Sequence, residues 1–208
     1  MVERICSILL IGFAKLLTGA RCIWKGANPE EKQRIYYANH TSHIDFVLIW
    51  AALPANIRYK TRPVAAADYW SKSKLHRFMI HKMFRGVLVD RVRKDDTNPL
   101  EPMLKALADG NSLIIFPEGT RNKEDTLLPF KSGLYNLAMA FPQVEIIPVW
   151  LDNLKRVMPK GHIMPLPLLC TLTVGEPIQV AANEDRLAFL TRARETLIAL
   201  GAEEQNNG

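Results

Sequence analysis

Hydrophobic and polar positions along the chain form short apolar runs that alternate with stretches of helical period. The predicted strands lie at residues 33–38, 63–67, 87–89, 112–116, 144–149 and 169–174. The predicted helices lie at residues 44–53, 72–84, 99–108, 132–140 and 185–200. Strands separated by helices of about ten residues predict an α/β fold: a single layered domain with a mixed, mostly parallel sheet flanked by helices.

Two loops of unusual polar composition follow predicted strands. They cover residues 39–45 (Asn-His-Thr-Ser-His-Ile-Asp) and 116–121 (Phe-Pro-Glu-Gly-Thr-Arg). Ligands of open α/β sheets bind in loops beyond the carboxyl ends of the strands. We therefore expect the functional site where these two loops meet.

The first loop supports a structural and a functional interpretation. Ser42-x-x-Asp45 before an apolar run is typical of a capping box at a helix start, which accounts for two residues without any function. Alternatively, Asp45 accepts a hydrogen bond from the imidazole of His40 and makes the other ring nitrogen a better base. General base catalysis of this kind contributes ~10²–10⁴ in rate.

A metal site is a further alternative for the first loop, because His40-x-x-His43-x-Asp45 supplies three possible ligands. Such a site needs additional histidines downstream. His76 and His81 fall in a strongly basic helical segment, where a metal cation is disfavoured. We therefore expect no metal.

The second loop has the composition of an anion site. Gly119 lets the backbone approach a ligand closely, and Arg121 offers a planar fork that matches a phosphate group beside Thr120. Downstream, Lys131 adds a cation at a predicted helix start. The alternative is an ordinary Pro-Glu-Gly-Thr turn with a solvated arginine.

Four segments carry sequence motifs in a fixed order along the chain. They are Asn39-His40-x-Ser42-x-x-Asp45; Gly86 through Asp90-Arg91; residues 116–121 followed by Phe130-Lys131-x-Gly133; and Ile147-Pro148-Val149. In this order they resemble the glycerolipid acyltransferase family, which includes 1-acyl-glycerol-3-phosphate acyltransferases. The second segment departs from the usual pattern, because valines stand where aromatic or bulky residues are common.

The resemblance implies a reaction and a set of site residues. It implies that His40 is the general base and Asp45 its partner, and that the donor is acyl-CoA or acyl-carrier protein. The acceptor is expected to be a lysophospholipid, above all 1-acylglycerol-3-phosphate, with no cofactor beyond the donor. Substrate-binding roles are expected for Asn39, Ser42, Arg91, Glu118, Gly119, Thr120, Arg121 and Lys131.

Three other functions fit parts of the sequence. The same fold can serve another acceptor, such as a lyso-amino-acid lipid, lysophosphatidylethanolamine or glycerol-3-phosphate. A thioesterase-like or metal-dependent hydrolase would position water in place of the lipid hydroxyl. A binding module for lipid surfaces or nucleic acid would use only the basic region and would not need His40 with Asp45, so we expect no nucleic acid partner.

The charge distribution favours an anionic partner. The net charge is +6, yet residues 58–94 hold eleven Lys/Arg against two acidic residues, so the remainder is slightly acidic. A basic amphipathic stretch at residues 70–85 can rest on an anionic membrane surface, although its apolar side can equally face the core.

The N-terminal residues 1–27 form a separate predicted segment, ahead of an acyltransferase domain at residues 28–208. Its apolar run at residues 5–17 is shorter than the ~20 residues of a membrane span and contains Lys15. An interfacial amphipathic helix and a helix packed on the core are both compatible with it. With only three scattered cysteines, the sequence predicts a peripheral protein on a cytoplasmic membrane face, of bacterial origin.

Overall fold

A single seven-stranded sheet organises the chain. The computed structural model describes residues 21–42, 45–90, 98–122, 126–152 and 170–206, together with Gly12 and Glu124. The strands are β1 (Arg21–Trp24), β2 (Arg34–Ala38), β3 (Thr61–Ala66), β4 (Val87–Val89), β5 (Ser112–Ile115), β6 (Glu145–Leu151) and β7 (Thr171–Val174). Their order across the sheet is β1-β7-β6-β2-β5-β3-β4.

The sheet is mixed and mostly parallel, which confirms the predicted fold class. Strands β6, β2, β5, β3 and β4 run in one direction, and their neighbours pair in parallel. Strand β7 pairs antiparallel with β6, and β1 pairs parallel with β7. The carboxyl ends of the five parallel strands therefore lie at one edge, where the loops after β2 and β5 meet.

Helices cover both faces of this sheet. They are α1 (Asp45–Ala52), α2 (Ala55–Arg58), α3 (Ala67–Trp70), α4 (Lys74–Phe78), α5 (Glu101–Ala108), α6 (Gly133–Ala140) and α7 (Arg186–Asn206). A π-helical turn, Met79–Met83, continues α4. The cores on the two faces are distinct, because alternate residues of a strand point to opposite sides. In β2, Tyr36 packs with α1, whereas Ile35 and Tyr37 pack with α5, α6 and α7.

The predicted helix at residues 72–84 differs from the structure in its regularity. Ser73 is the N-cap of α4, because its hydroxyl accepts a hydrogen bond from the His76 amide at 3.1 Å. The π-helical turn follows directly and ends where the Gly86 amide donates to the Ile80 carbonyl at 2.7 Å. Apolar periodicity does not distinguish an α-helix from an α-helix with a π-helical turn, because both keep one face apolar.

The predicted interfacial helix within residues 1–27 lies outside the described residues, apart from its last part and Gly12. That last part is not helical: Arg21–Trp24 form edge strand β1 and pair with β7. Among the described residues, no helix has the length and apolar content needed to cross a membrane.

Candidate active site

A histidine and a carboxylate meet in the loop after β2. His40 Nδ1 lies 2.9 Å from Asp45 Oδ2, and the Asp45 side chain is fully buried at the first residue of α1. Asp45 is best satisfied as an acceptor, so the hydrogen bond places the imidazole proton on Nδ1. The lone pair of a neutral ring then lies on Nε2, the nitrogen that a substrate can use.

The same carboxylate oxygen also organises the loop backbone. Asp45 Oδ2 accepts hydrogen bonds from the amides of Thr41 at 2.7 Å and Ser42 at 2.9 Å. The bond to Ser42 is the acidic half of the predicted capping box. The capping and base-orienting interpretations of Asp45 are therefore compatible, because one oxygen serves both.

The imidazole is held on its face as well as at its edge. The ring of His40 stacks on Phe116, with centroids 4.1 Å apart and planes 19° apart. The His40 side chain is 19% exposed, so it is confined yet reachable. Two contacts from different loops thus fix both the position and the rotation of the ring.

Glu118 joins the two loops from within. It is 2% exposed, and its carboxylate accepts from the His40 amide at 2.8 Å and from the Leu128 amide at 3.0 Å. The Asn122 amide adds a second link by donating to the His40 carbonyl at 2.6 Å. Both oxygens of Glu118 are therefore engaged by backbone, and direct substrate contact by this residue stays a prediction.

Gly119 makes room for a cation. Its φ of +69° lies in the left-handed region, and a Cβ there would lie 2.7 Å from Lys131 Cε and Nζ. The Lys131 amide donates to the Pro117 carbonyl at 2.9 Å, which holds the two segments together. The end of the Lys131 side chain therefore occupies the space beside Gly119 where the Cβ of any other residue would lie.

A cavity of about 530 Å³ opens beside His40. Gly119, Arg121 and Lys131 line it, as does Asp90 at the end of β4. Its apolar wall comes from β3, α1, α3, α5 and α6. The apolar side chains include Phe46, Val64, Trp70, Met103, Leu134 and Leu137. A histidine, two cations and an apolar wall thus surround one space.

The other predicted site residues lie at different distances from this cavity. Asn39 is buried and exchanges two hydrogen bonds with the backbone of Leu151, at 2.9 Å and 2.8 Å. Ser42 is buried in the loop behind His40. Thr120 is exposed and outside the cavity lining, and Arg91 lies outside the described residues. Substrate contact by these four stays a prediction.

The wall formed by α5 and α6 is not among the features predicted from the sequence. Met103, Ser132, Asn136 and Leu137 all line the cavity. The apolar members of this wall have the ordinary pattern of core residues, so no sequence signal distinguishes them. Only the packing of α5 beside β4 and β5, and of α6 against α5, shows that they face the site.

The thiol of Cys170 is buried. Burial raises the pKa of the Cys170 thiol to about 11, and the charges of Asp152 and Asp45 add to this effect. Cys170 is therefore a neutral thiol at ordinary pH.

Among the described residues, which omit His43, no group of three or more His, Cys, Asp and Glu residues has the arrangement to hold a metal ion.

The fold and these loops define a class of protein. The family model described as Acyltransferase matches residues 23–152, which is more than half of the chain, and the chain belongs to that family. Among curated proteins it is similar to a 1-acyl-sn-glycerol-3-phosphate acyltransferase of Limnanthes douglasii, at 28% identity over 74% of this chain. That match covers 53% of the plant protein, so the chain spans about half the length of this relative.

Two further relatives cover more of the chain. The 1-acyl-sn-glycerol-3-phosphate acyltransferase alpha of Mus musculus is 27% identical over 96% of this chain and 70% of its own length. The crystal structure of the 1-acyl-sn-glycerophosphate acyltransferase PlsC from Thermotoga maritima superposes with a TM-score of 0.71. It covers 97% of this chain and 81% of its own at 21% identity, which confirms the fold.

Proposed function

We propose that this protein transfers a fatty acyl group from a thioester to the free hydroxyl of 1-acylglycerol-3-phosphate, which yields phosphatidic acid. The observation that carries the proposal is the contact between His40 Nδ1 and Asp45 Oδ2, 2.9 Å, at the mouth of a cavity with cations and an apolar wall. The names of the curated relatives support the choice of acceptor. The donor is acyl-CoA or acyl-carrier protein.

The mechanism is a single displacement. Nε2 of His40 takes the proton from the acceptor hydroxyl as its oxygen attacks the carbonyl carbon of the thioester. The new C–O ester bond forms, the C–S bond breaks, and the departing thiolate takes the proton back from the imidazolium. No enzyme nucleophile is needed, because the acceptor oxygen attacks directly.

Charge and shape orient the acceptor in this proposal. Arg121 and Lys131 line the cavity and bind the phosphate group, since a guanidinium fork and an ammonium both suit phosphate oxygens. The apolar wall receives the acyl chain. Phe116 and Asp45 keep the imidazole directed at the hydroxyl, so the acceptor binds with its reacting group next to the base.

The first experiment is acyl transfer from radiolabelled acyl-CoA, and separately acyl-carrier protein, to a panel of lysolipids. We expect labelled product on 1-acylglycerol-3-phosphate, and a loss of about 10²–10⁴ in rate for His40→Ala. Added imidazole should restore part of that activity, and thermal denaturation should show an intact fold. Equal activity of His40→Ala and wild type would contradict the mechanism, whereas free fatty acid without acylated lipid would indicate a hydrolase.

The protein is also proposed to act at an anionic membrane surface. Leu75 and Phe78 on α4 are 66% and 38% exposed, and Lys72, Lys74 and Arg77 around them are exposed. Exposed apolar side chains among cations are typical of a helix that rests on anionic lipid.

Vesicle sedimentation tests the membrane surface. We expect binding to vesicles with anionic lipid that weakens with salt and with Leu75→Ser plus Phe78→Ser. Leu187→Ser is the matched control, because Leu187 is 75% exposed on α7, away from this cluster. If neither salt nor the double variant changes vesicle binding, α4 is not the membrane-binding surface.

A further inference from the structure

A second cavity lies at the amino end of β3, away from the candidate active site. It measures about 450 Å³ and is lined by Arg62, His81, Lys82, Arg85 and Gly86. Arg62 is the second residue of β3, whereas Ala66, the last, lines the active-site cavity. Val64 and Ala65 also line the active-site cavity, so along β3 the two linings are two residues, roughly 7 Å, apart.

The lining of this cavity is basic throughout. Its side chains are two arginines, a lysine and a histidine, and no acidic residue of the described chain is among them. Within the described residues, Arg62 Nε is buried and has no hydrogen-bond partner. A buried cationic donor without a partner is costly, so its retention calls for an explanation such as a ligand.

The backbone around the cavity is irregular in a way that groups these side chains. His81 and Lys82 belong to the π-helical turn, a feature that is frequent at functional sites. Arg85 adopts a φ of +49°, which is strained for a residue other than glycine. At Gly86, a Cβ would clash with Ile80 Cδ1 and lie 3.2 Å from the Pro63 carbonyl, so a larger residue would require Ile80 to move.

We propose that Arg62, His81, Lys82 and Arg85 form a phosphate-binding site separate from the active site. Guanidinium groups bind phosphate through paired N–H donors, and the lysine and histidine supply further N–H groups around the same space. The cavity offers several N–H donors and no carboxylate, which suits a ligand group with several anionic oxygens. The phosphate belongs either to a lipid headgroup at the surface beside α4 or to a soluble phosphate compound.

The proposal extends the proposed function but does not depend on acyl transfer, because it concerns binding at another place. Nuclear magnetic resonance of the Arg62 Nε–Hε group reports on this cavity alone. Titration with inorganic phosphate, against chloride at the same ionic strength, should shift this resonance to saturation. Arg121→Gln should leave the shift intact, since Arg121 lines the other cavity.

Variants in the cavity supply the test of affinity. We expect Lys82→Gln with Arg85→Gln to weaken phosphate binding at Arg62 by roughly tenfold or more, from the loss of charged hydrogen bonds. The double variant Lys74→Gln with Arg77→Gln removes the same amount of charge from α4, outside the cavity. It should change the affinity for phosphate little. An Arg62 resonance that responds equally to chloride, or equally in both double variants, would overturn the site.

Vesicles identify the source of the phosphate. Arg62→Gln and Arg62→Lys are compared with wild type on phosphatidylcholine vesicles containing phosphatidic acid or phosphatidylglycerol at matched charge. Loss of a preference for phosphatidic acid in Arg62→Gln supports a headgroup. Inorganic phosphate binding is measured by equilibrium dialysis in the Arg121→Gln background. If Arg62→Gln loses this binding while its vesicle binding is unchanged, the ligand is a soluble phosphate compound. Failure of both arms would overturn the proposal even if acyl transfer is intact.

Discussion

The carboxyl and amino ends of the parallel strands present charged groups in opposite circumstances. At the carboxyl end, the buried carboxylates of Asp45 and Glu118 each accept at least two hydrogen bonds from neighbouring groups. At the amino end, Arg62, His81, Lys82 and Arg85 line one cavity, and among the described residues no acidic residue lines it with them. Hydrogen-bonded carboxylates hold the loops around His40 in one geometry, whereas a cluster of cations favours the binding of an anion.

The largest expected effect concerns the carboxylate behind the base. Asp45→Asn removes the charge that orients His40 and stabilises its protonated form, so we expect acyl transfer to fall by roughly 10²–10⁴. Asp109→Asn is the matched control, because Asp109 is exposed and forms an ion pair with Lys105 at 3.7 Å. Initial rates with radiolabelled donor measure the effect, and a near-normal rate for Asp45→Asn would remove Asp45 from the mechanism.

The next effect concerns the link between the loops. Glu118→Gln replaces one of two acceptors by an amide donor, which then faces a backbone N–H of His40 or Leu128. We expect the free energy of unfolding to fall by about 1–3 kcal/mol. We also expect kcat to fall roughly 10–100-fold with KM nearly constant, since the base is misplaced. Urea denaturation and steady-state kinetics measure both, and Glu101→Gln on the exposed start of α5 is the control. A rise in KM alone would instead indicate substrate contact.

Two glycines separate backbone strain from the placement of Lys131. Gly119 and Gly110 have φ of +69° and +78°, but a Cβ at Gly110 meets nothing within 4 Å. Gly119→Ala and Gly110→Ala should each lose about 1 kcal/mol of stability from the left-handed backbone. Only Gly119→Ala should also raise KM for the acceptor, because its methyl group displaces the ammonium of Lys131. Equal KM values would show that Lys131 does not bind the acceptor.

A paired charge far from both sites gives a pH-dependent comparison. The hydrogen bond from Arg192 to the carboxylate of Glu184 lowers the pKa of Glu184 from 4.5 to about 2. The pair therefore stabilises the fold fully above pH 4.5, and this contribution is lost as the pH falls towards 2. Because Arg192 is partly exposed, we expect only about 0.5 kcal/mol. Urea denaturation of wild type and Glu184→Gln should differ at neutral pH and converge in acid; a constant difference would contradict the pairing.

The smallest expected effect has the opposite sign. Lys82→Gln removes one of several like charges around the second cavity, so stability at low salt should rise slightly, on the order of 0.3 kcal/mol. Lys105→Gln removes a cation that is paired with Asp109 and should cause a slight loss. Thermal denaturation at low and high salt distinguishes the two. A clear loss for Lys82→Gln would show that its charge already has a partner.

The sequence was sufficient for six of the seven strands and for the contact between His40 and Asp45. Six predicted strands occur as β2 to β7, because each is an apolar run bounded by polar or turn residues. The edge strand β1 was missed: Arg-Cys-Ile-Trp has no clear alternation, and it follows an apolar segment that suggested helix. His40 and Asp45 were found since their partner lies five residues away in the same loop.

Long-range contacts explain what the sequence left open. The acid of Glu118 in a Pro-Glu-Gly turn is compatible with a solvated, a ligand-binding or a buried structural side chain. Only its contacts with His40 and Leu128, from distant parts of the chain, show the structural role. The cationic cavity is a similar case, because Arg62 and Lys82 belong to separate elements that the fold brings together.

Asn39 has a consequence for how the chain leaves the sheet. The ladder between β2 and β6 ends at the pair of Ala38 with Val149, yet Leu151 is still bonded on this side through the Asn39 side chain. A carboxamide has the donor and acceptor of a peptide group, so it acts as one more rung built from a side chain. The main chain can therefore turn towards His40, while the amide and carbonyl of Leu151 at the end of β6 remain hydrogen-bonded. Asparagine at this position is a peptide mimic, which neither aspartate nor leucine can replace.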